Sequence, residues 1–100
     1  MRFELPKIKL TKNLPESLRR CGYFSISSRF TGQSSFVRRL SGTQRYPRYH
    51  LYVDDLAENF RFNLHLDQKE QSYKGSTAHS GDYDEPAVEQ EKQRIISLII

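Results

Sequence analysis

His65-Leu66-Asp67 places an imidazole and a carboxylate two residues apart in an alternating run, Phe60-Arg61-Phe62-Asn63-Leu64-His65-Leu66-Asp67. Residues two apart on a strand project to the same face, so His65 and Asp67 point together. A polar stretch follows, Gly75-Ser76-Thr77-Ala78-His79-Ser80-Gly81-Asp82-Tyr83-Asp84, and it carries a second histidine. Two chemistries suit this inventory. His50, His65, Asp67 and His79 are candidate ligands for a divalent metal, since imidazole and carboxylate donors suit Zn²⁺ or Fe²⁺. Without a metal, His65 and His79 are candidate general base and acid of a ribonuclease-like phosphodiesterase. Arg38, Arg48 or Lys69 would then supply the cation that stabilises the phosphorane. The glycine- and serine-rich stretch offers backbone amides and hydroxyls to a phosphate. It lacks a Walker lysine and GxGxxG spacing, so a turn-rich loop leading to the Asp84 helix cap is the preferred reading.

The elements that position these residues follow from patterning. Asn13-Leu14-Pro15-Glu16 is a helix start, with Asn13 as cap and Pro15 in the first turn. Leu14, Leu18 and Cys21 share one helical face, and Gly22 ends the helix. Residues 1–12 are basic and extended, an arm in which Pro6 opposes a helix. Tyr23 to Phe30 and Ser35 to Leu40 form a strand pair around Thr31-Gly32-Gln33-Ser34. The facing of the second is open, because Phe36 and Val37 are adjacent. Arg48 to Asp54 is a third strand and Phe60 to Asp67 a fourth. From Glu85 the pattern is helical, with Asp84 as cap and a Val88, Ile95, Ile99 stripe.

The third and fourth strands constrain each other. Tyr49, Leu51 and Val53 form one apolar face; Phe60, Phe62, Leu64 and Leu66 form the other. Placing both on one side requires the numbers of paired residues to sum to an odd value. The register that pairs Arg48 with Asp67, His50 with His65, Tyr52 with Asn63 and Asp54 with Arg61 puts opposite charges at both ends. Each such pair is worth about 0.2–1 kcal/mol. Shifting the register by two would instead set His50 against Asp67. The polar face then carries His50, Tyr52, Arg61, Asn63, His65 and Asp67. The 17 residues of 68–84 form a long loop, and loops beyond about 12–15 residues in compact domains are usually functional or disordered.

Composition narrows the function classes. The 100 residues suit one domain with a modest core. A single cysteine, Cys21, excludes an internal disulfide and a thiolate cluster; a small buried hydrophobe is its expected role. No apolar run approaches the roughly 20 residues of a membrane span, and Met1-Arg2-Phe3-Glu4-Leu5-Pro6 has no signal-peptide core. The expected location is cytoplasmic, with no membrane partner. Net charge is +4 and mean hydropathy −0.75. The first fifty residues carry eleven Lys/Arg against two Glu, a balance of +9, and the last fifty carry five against ten Asp/Glu, a balance of −5. The asymmetry suits an anionic partner, or halves that neutralise each other on folding. Arg29, Arg38, Arg39, Arg45 and Arg48 interleave with Phe30, Phe36, Tyr46, Tyr49 and Tyr52, and sheets bind single-stranded RNA by stacking bases on aromatics flanked by arginine. Tyr52 falls on the polar face and is the stacking candidate; Tyr49 belongs to the core.

His50-Leu51-Tyr52, Leu64-His65-Leu66-Asp67-Gln68-Lys69 and Ala78-His79-Ser80-Gly81-Asp82-Tyr83-Asp84 resemble strings in a family of short, uncharacterised bacterial proteins. The resemblance spans roughly the whole chain and implies no activity; many of those strings carry a second histidine where this chain has Asn63. The His-x-Asp spacing with a later histidine also resembles the facial triad of non-haem iron oxygenases, but this chain is too short for the double-stranded β-helix that holds it.

The sequence therefore predicts an α+β fold: an antiparallel sheet of about four strands, a C-terminal helix packed on one face and a short N-terminal helix. The expected function is a binding module for an anionic partner, RNA or a ribonucleoprotein, using Arg38, Arg48, His50, Tyr52, Arg61, His65 and Lys69. No cofactor is required; a divalent metal belongs to the alternative site at His50, His65, Asp67 and His79. A plain interaction domain, dimerising through the Ile-rich end Ile95-Ile96-Ser97-Leu98-Ile99-Ile100, is the third reading.

Overall fold

Alternating strands and one long amphipathic helix produce an antiparallel sheet covered on one face. The computed structural model describes residues 1–28, 31–32, 34–69 and 85–100. In chain order the elements are β1 (Arg2–Pro6), a 3₁₀ turn (Lys7–Lys9), α1 (Leu14–Arg20), β2 (Phe24–Ser27), β3 (Ser34–Arg39), β4 (Arg48–Asp55), β5 (Asn59–Asp67) and α2 (Glu85–Ile99). The sheet order is β1-β5-β4-β3-β2, antiparallel throughout.

The sheet has five strands rather than about four. The extra strand comes from the segment expected to be an extended arm: Phe3 and Leu5 alternate and sit opposite Phe62 and Phe60 of β5. Their burial holds β1 in place, and Pro6 is tolerated because it ends an edge strand. The α1 helix starts as its sequence suggests: the Asn13 side chain accepts a hydrogen bond from the Glu16 amide at 2.9 Å. It stops at Gly22, whose φ of +94° a residue with a Cβ adopts only under strain. A Cβ there would also lie 3.2 Å from the Arg38 side chain.

The β4–β5 register pairs Arg48 with Asp67, His50 with His65, Tyr52 with Asn63 and Asp54 with Arg61. Parity then sends Tyr49, Leu51, Phe62, Leu64 and Leu66 into the core beneath α2, which contributes Val88, Ile95 and Ile99. Phe36 and Val37 are adjacent because the two sides of β3 both bury apolar groups. Phe36 packs on the helix-side core, whereas Val37, directly opposite His50, is buried on the other face. Cys21 is buried in the core and burial pushes its thiol pKa up, so its role here is that of a small hydrophobe. Among the described residues, no helix is long and apolar enough to cross a membrane.

Candidate functional site

The face of the sheet opposite α2 is built by residues of one parity on each strand. Arg39, Arg48 and Asp67 form one cross-strand row and Phe24, Val37, His50 and His65 the next. Tyr52 and Asn63 lie one step further along, followed by Asp54, Arg61 and Glu4.

His50 is the centre of this face. Its Nε2 lies 2.7 Å from Ser35 Oγ and its Nδ1 lies 3.0 Å from Asp67 Oδ2. Burial alone would raise the Asp67 pKa, but the hydrogen bond and charge of His50, with the charge of Arg48, outweigh it and hold that carboxyl below its ordinary range. An ionised carboxylate only accepts, so Nδ1 carries the proton. In the neutral ring Nε2 is then the acceptor, and Ser35 donates its hydroxyl hydrogen to it. Arg48 Nε completes the chain at 3.4 Å from Asp67 Oδ2. Although β4 pairs His50 directly with His65, the His50 side chain leans along the strand far enough to reach Asp67. The two registers weighed from sequence therefore share one contact.

Tyr52 stacks on His50 with centroids 4.4 Å apart and planes 24° apart, and meets His65 edge-on at 5.8 Å. Its residue exposure is 38%, so one side of the ring faces solvent while the other is fixed. Phe24 is 42% exposed on the same face, with the Arg39 guanidinium 5.1 Å from its ring centre. Arg48 lies over the Tyr46 ring at 4.6 Å.

The other sequence candidates fall in different places. Arg38 leaves the group: it lies on the helix side, where Nε and Nη2 donate to the two oxygens of buried Glu91 at 2.9 and 3.0 Å. The parity that points Phe36 into the core carries Arg38 with it. Arg61 is on the open face but sits between Glu4 and Asp54, at 3.5 and 3.9 Å. Lys69 is exposed just past the end of β5. His79 and the glycine- and serine-rich stretch lie outside the described residues. His50 spends both ring nitrogens on Ser35 and Asp67, leaving no lone pair for a metal in this arrangement. Among the described residues, no group of three His, Cys, Asp or Glu side chains is placed to hold one. At the C-terminal end Ile95 and Ile99 are buried in the core, and Leu98 and Ile100 are exposed.

Much of the charge asymmetry is consumed internally. Lys7 pairs with Asp55, Arg38 with Glu91 and Arg48 with Asp67, each joining the basic half to the acidic half. Arg39 is different: it faces Arg48 across the strands and, among the described residues, meets no carboxylate. Sequence reasoning missed Ser35 and Phe24 as site residues. The signal for both was parity, since β3 pairs Val37 with His50 and β2 pairs Phe24 with Val37. Comparison with protein-family models, curated proteins and solved structures finds no match.

Proposed function

We propose that this chain is a binding module for a single-stranded anionic polymer, RNA first, through the open face of the sheet. The observation that carries the reading is the pairing of exposed, pre-set aromatic rings with two arginines directly opposite each other. Like charges across a strand pair are destabilising on their own. Among the described residues Arg39 meets no carboxylate, and the Asp67 that pairs with Arg48 is also engaged by His50. A phosphate placed against that row gains both charge and bidentate hydrogen bonds from guanidinium groups. Tyr52, fixed from behind by His50, and Phe24, two strands away, supply surfaces on which successive bases stack without base-specific hydrogen bonds.

Binding of a labelled single-stranded RNA, measured across a salt series, tests this reading. The logarithm of the affinity is expected to fall linearly with log salt concentration. Tyr52→Ala is expected to weaken binding by about 1–3 kcal/mol, the usual worth of one base–aromatic stack. Arg39→Gln is expected to lower the salt slope by about 0.7, the contribution of one phosphate on a single strand. Binding that is absent, or present without salt dependence, overturns the reading.

A further inference from the structure

Ser35, His50 and Asp67 stand on three adjacent strands, β3, β4 and β5, with their side chains on one face. The order of contacts is hydroxyl to Nε2 at 2.7 Å and Nδ1 to carboxylate at 3.0 Å. That is the arrangement in which a base within hydrogen-bond reach activates a serine and a third group orients the base. It needs no sequence motif, because the sheet and not a loop brings the groups together. From this geometry we infer that Ser35 is a nucleophile toward small carboxylic esters, with His50 as its general base and Asp67 as the positioning residue.

Each part has its own support. Arg48 anchors the carboxylate at 3.4 Å. Tyr52 stacks on the imidazole and fixes its plane. Strand backbones hold all three side chains, which limits drift from a reactive geometry. Ser35 is 5% exposed and His50 9% exposed, which bars a polymer chain from the hydroxyl and restricts the inference to small esters. The activity is thus separate from RNA binding on the same face, and neither reading depends on the other.

In the reaction, Ser35 Oγ attacks the ester carbonyl carbon while Nε2 takes the hydroxyl proton. The bond from that carbon to the leaving oxygen breaks, and Nε2–H returns the proton to the departing alcohol. A water deprotonated by Nε2 then attacks the acyl-serine. The acid leaves, the proton passes back to Oγ, and ester plus water has become acid plus alcohol.

The test is incubation of the intact protein with 4-nitrophenyl acetate, and separately with a small alkyl fluorophosphonate, followed by peptide mass mapping. The molecule contains its own controls. Ser27 and Ser34 are exposed, and among the described residues neither is in contact with an imidazole. Modification concentrated on Ser35, despite its burial, is the expected result. Asp67→Asn should slow it by about 100-fold, the lower end of what a positioned general base contributes. Equal or greater modification of Ser27 and Ser34, or no adduct on Ser35 in the wild-type protein, overturns the inference whatever the variants do.

Discussion

Two polar clusters, one on each side of the same sheet, are made from similar parts and behave differently. Under α2, Glu91 is 3% exposed and receives Tyr23 Oη at 2.6 Å, Arg38 Nε and Nη2 at 2.9 and 3.0 Å, and Arg94 Nε and Nη2 at 2.8 and 3.0 Å. Arg94 also donates to the Cys21 carbonyl at 2.6 Å, tying the end of α1 into the set. On the open face, Asp67 likewise accepts from an arginine and from a second basic group, and a hydroxyl completes the row. The difference is the group in the middle. Two guanidinium ions never lose their charge in this setting, so the Glu91 cluster is closed and fixes α2, α1 and β3 against one another. An imidazole oriented by Asp67 through one nitrogen keeps a second that can accept, so His50 can take a proton from Ser35. One cluster is cement and the other has a reactive end.

Removing the carboxylates should separate the two roles, and Glu91 gives the larger effect. Glu91→Ala removes the shared acceptor of two partly exposed guanidiniums and of the buried Tyr23 hydroxyl. Breaking a buried ion pair from one side costs about 3–5 kcal/mol, and the water that reaches both guanidiniums places this loss at the lower end. A urea titration should show this as a lower midpoint with an unchanged slope. A loss below about 1 kcal/mol would mean that Glu91 does not hold the helix.

Acid should erode both clusters, and the sign follows from the two carboxyls. Burial raises the Glu91 pKa, but hydrogen bonds from Arg94, Arg38 and Tyr23 outweigh it, and the net shift is downward from 4.5. Asp67 is shifted downward from 3.8. A carboxyl depressed in the folded state binds protons more weakly there than in the unfolded chain. Its stabilisation is therefore complete above the ordinary value and is lost as pH falls through the folded one. Stability to urea should be level with respect to these two groups above about pH 5 and should decline below about pH 4. In Glu91→Gln the acid decline should be visibly shallower; a decline as steep as wild type would place the acid sensitivity elsewhere.

Asp67→Asn should cost less than the loss of Glu91, about 1–2 kcal/mol, because its side chain is 30% exposed and water replaces part of what is lost. Its distinguishing readout is the imidazole rather than the fold. With the carboxylate gone, the ring nitrogens of His50 should exchange tautomers, visible as a changed pair of ¹⁵N shifts. Unchanged shifts would show that another group orients the ring.

The open face was more legible in the sequence than the buried cluster, for a physical reason. Strand parity is an alternation of period two, and the charge pairs Arg48–Asp67 and Asp54–Arg61 fix the register, so His50, His65, Tyr52 and Asp67 could be placed together from their positions alone. Glu91 occupies an apolar stripe position on α2, and what permits it there is Arg38, 53 residues earlier on another element. Helical periodicity carries no record of such a partner. Ser35 was hidden for a related reason: β3 buries apolar side chains on both faces, so Phe36 and Val37 cancel the alternation that would have aimed Ser35 at His50. The fifth strand was obscured by Pro6 and the basic character of the first residues, although Phe3 and Leu5 had the right spacing.

The smallest effect on stability should come from Tyr52→Leu. Tyr52 loses only its stack on His50 and its edge contact with His65, worth about 0.5–1.5 kcal/mol beyond area burial, and leucine restores part of the apolar area. The urea midpoint should therefore move less than in Asp67→Asn, while RNA affinity falls by the full value of a lost stacking surface. That opposition between a small folding effect and a large binding effect is what a ring held for a partner should show. A ring held for the fold would show the reverse, with stability falling and affinity following only as far as the folded fraction does. The Glu91 side supplies the reference for that second pattern: Arg38→Met should lower stability strongly and leave the affinity of the folded fraction unchanged, since its side chain lies beneath α2 and away from the open face. If Tyr52→Leu and Arg38→Met lose RNA affinity in equal proportion to stability, the open face has no binding role of its own, and the contrast between the two sides of the sheet reduces to the different chemistry of imidazole and guanidinium.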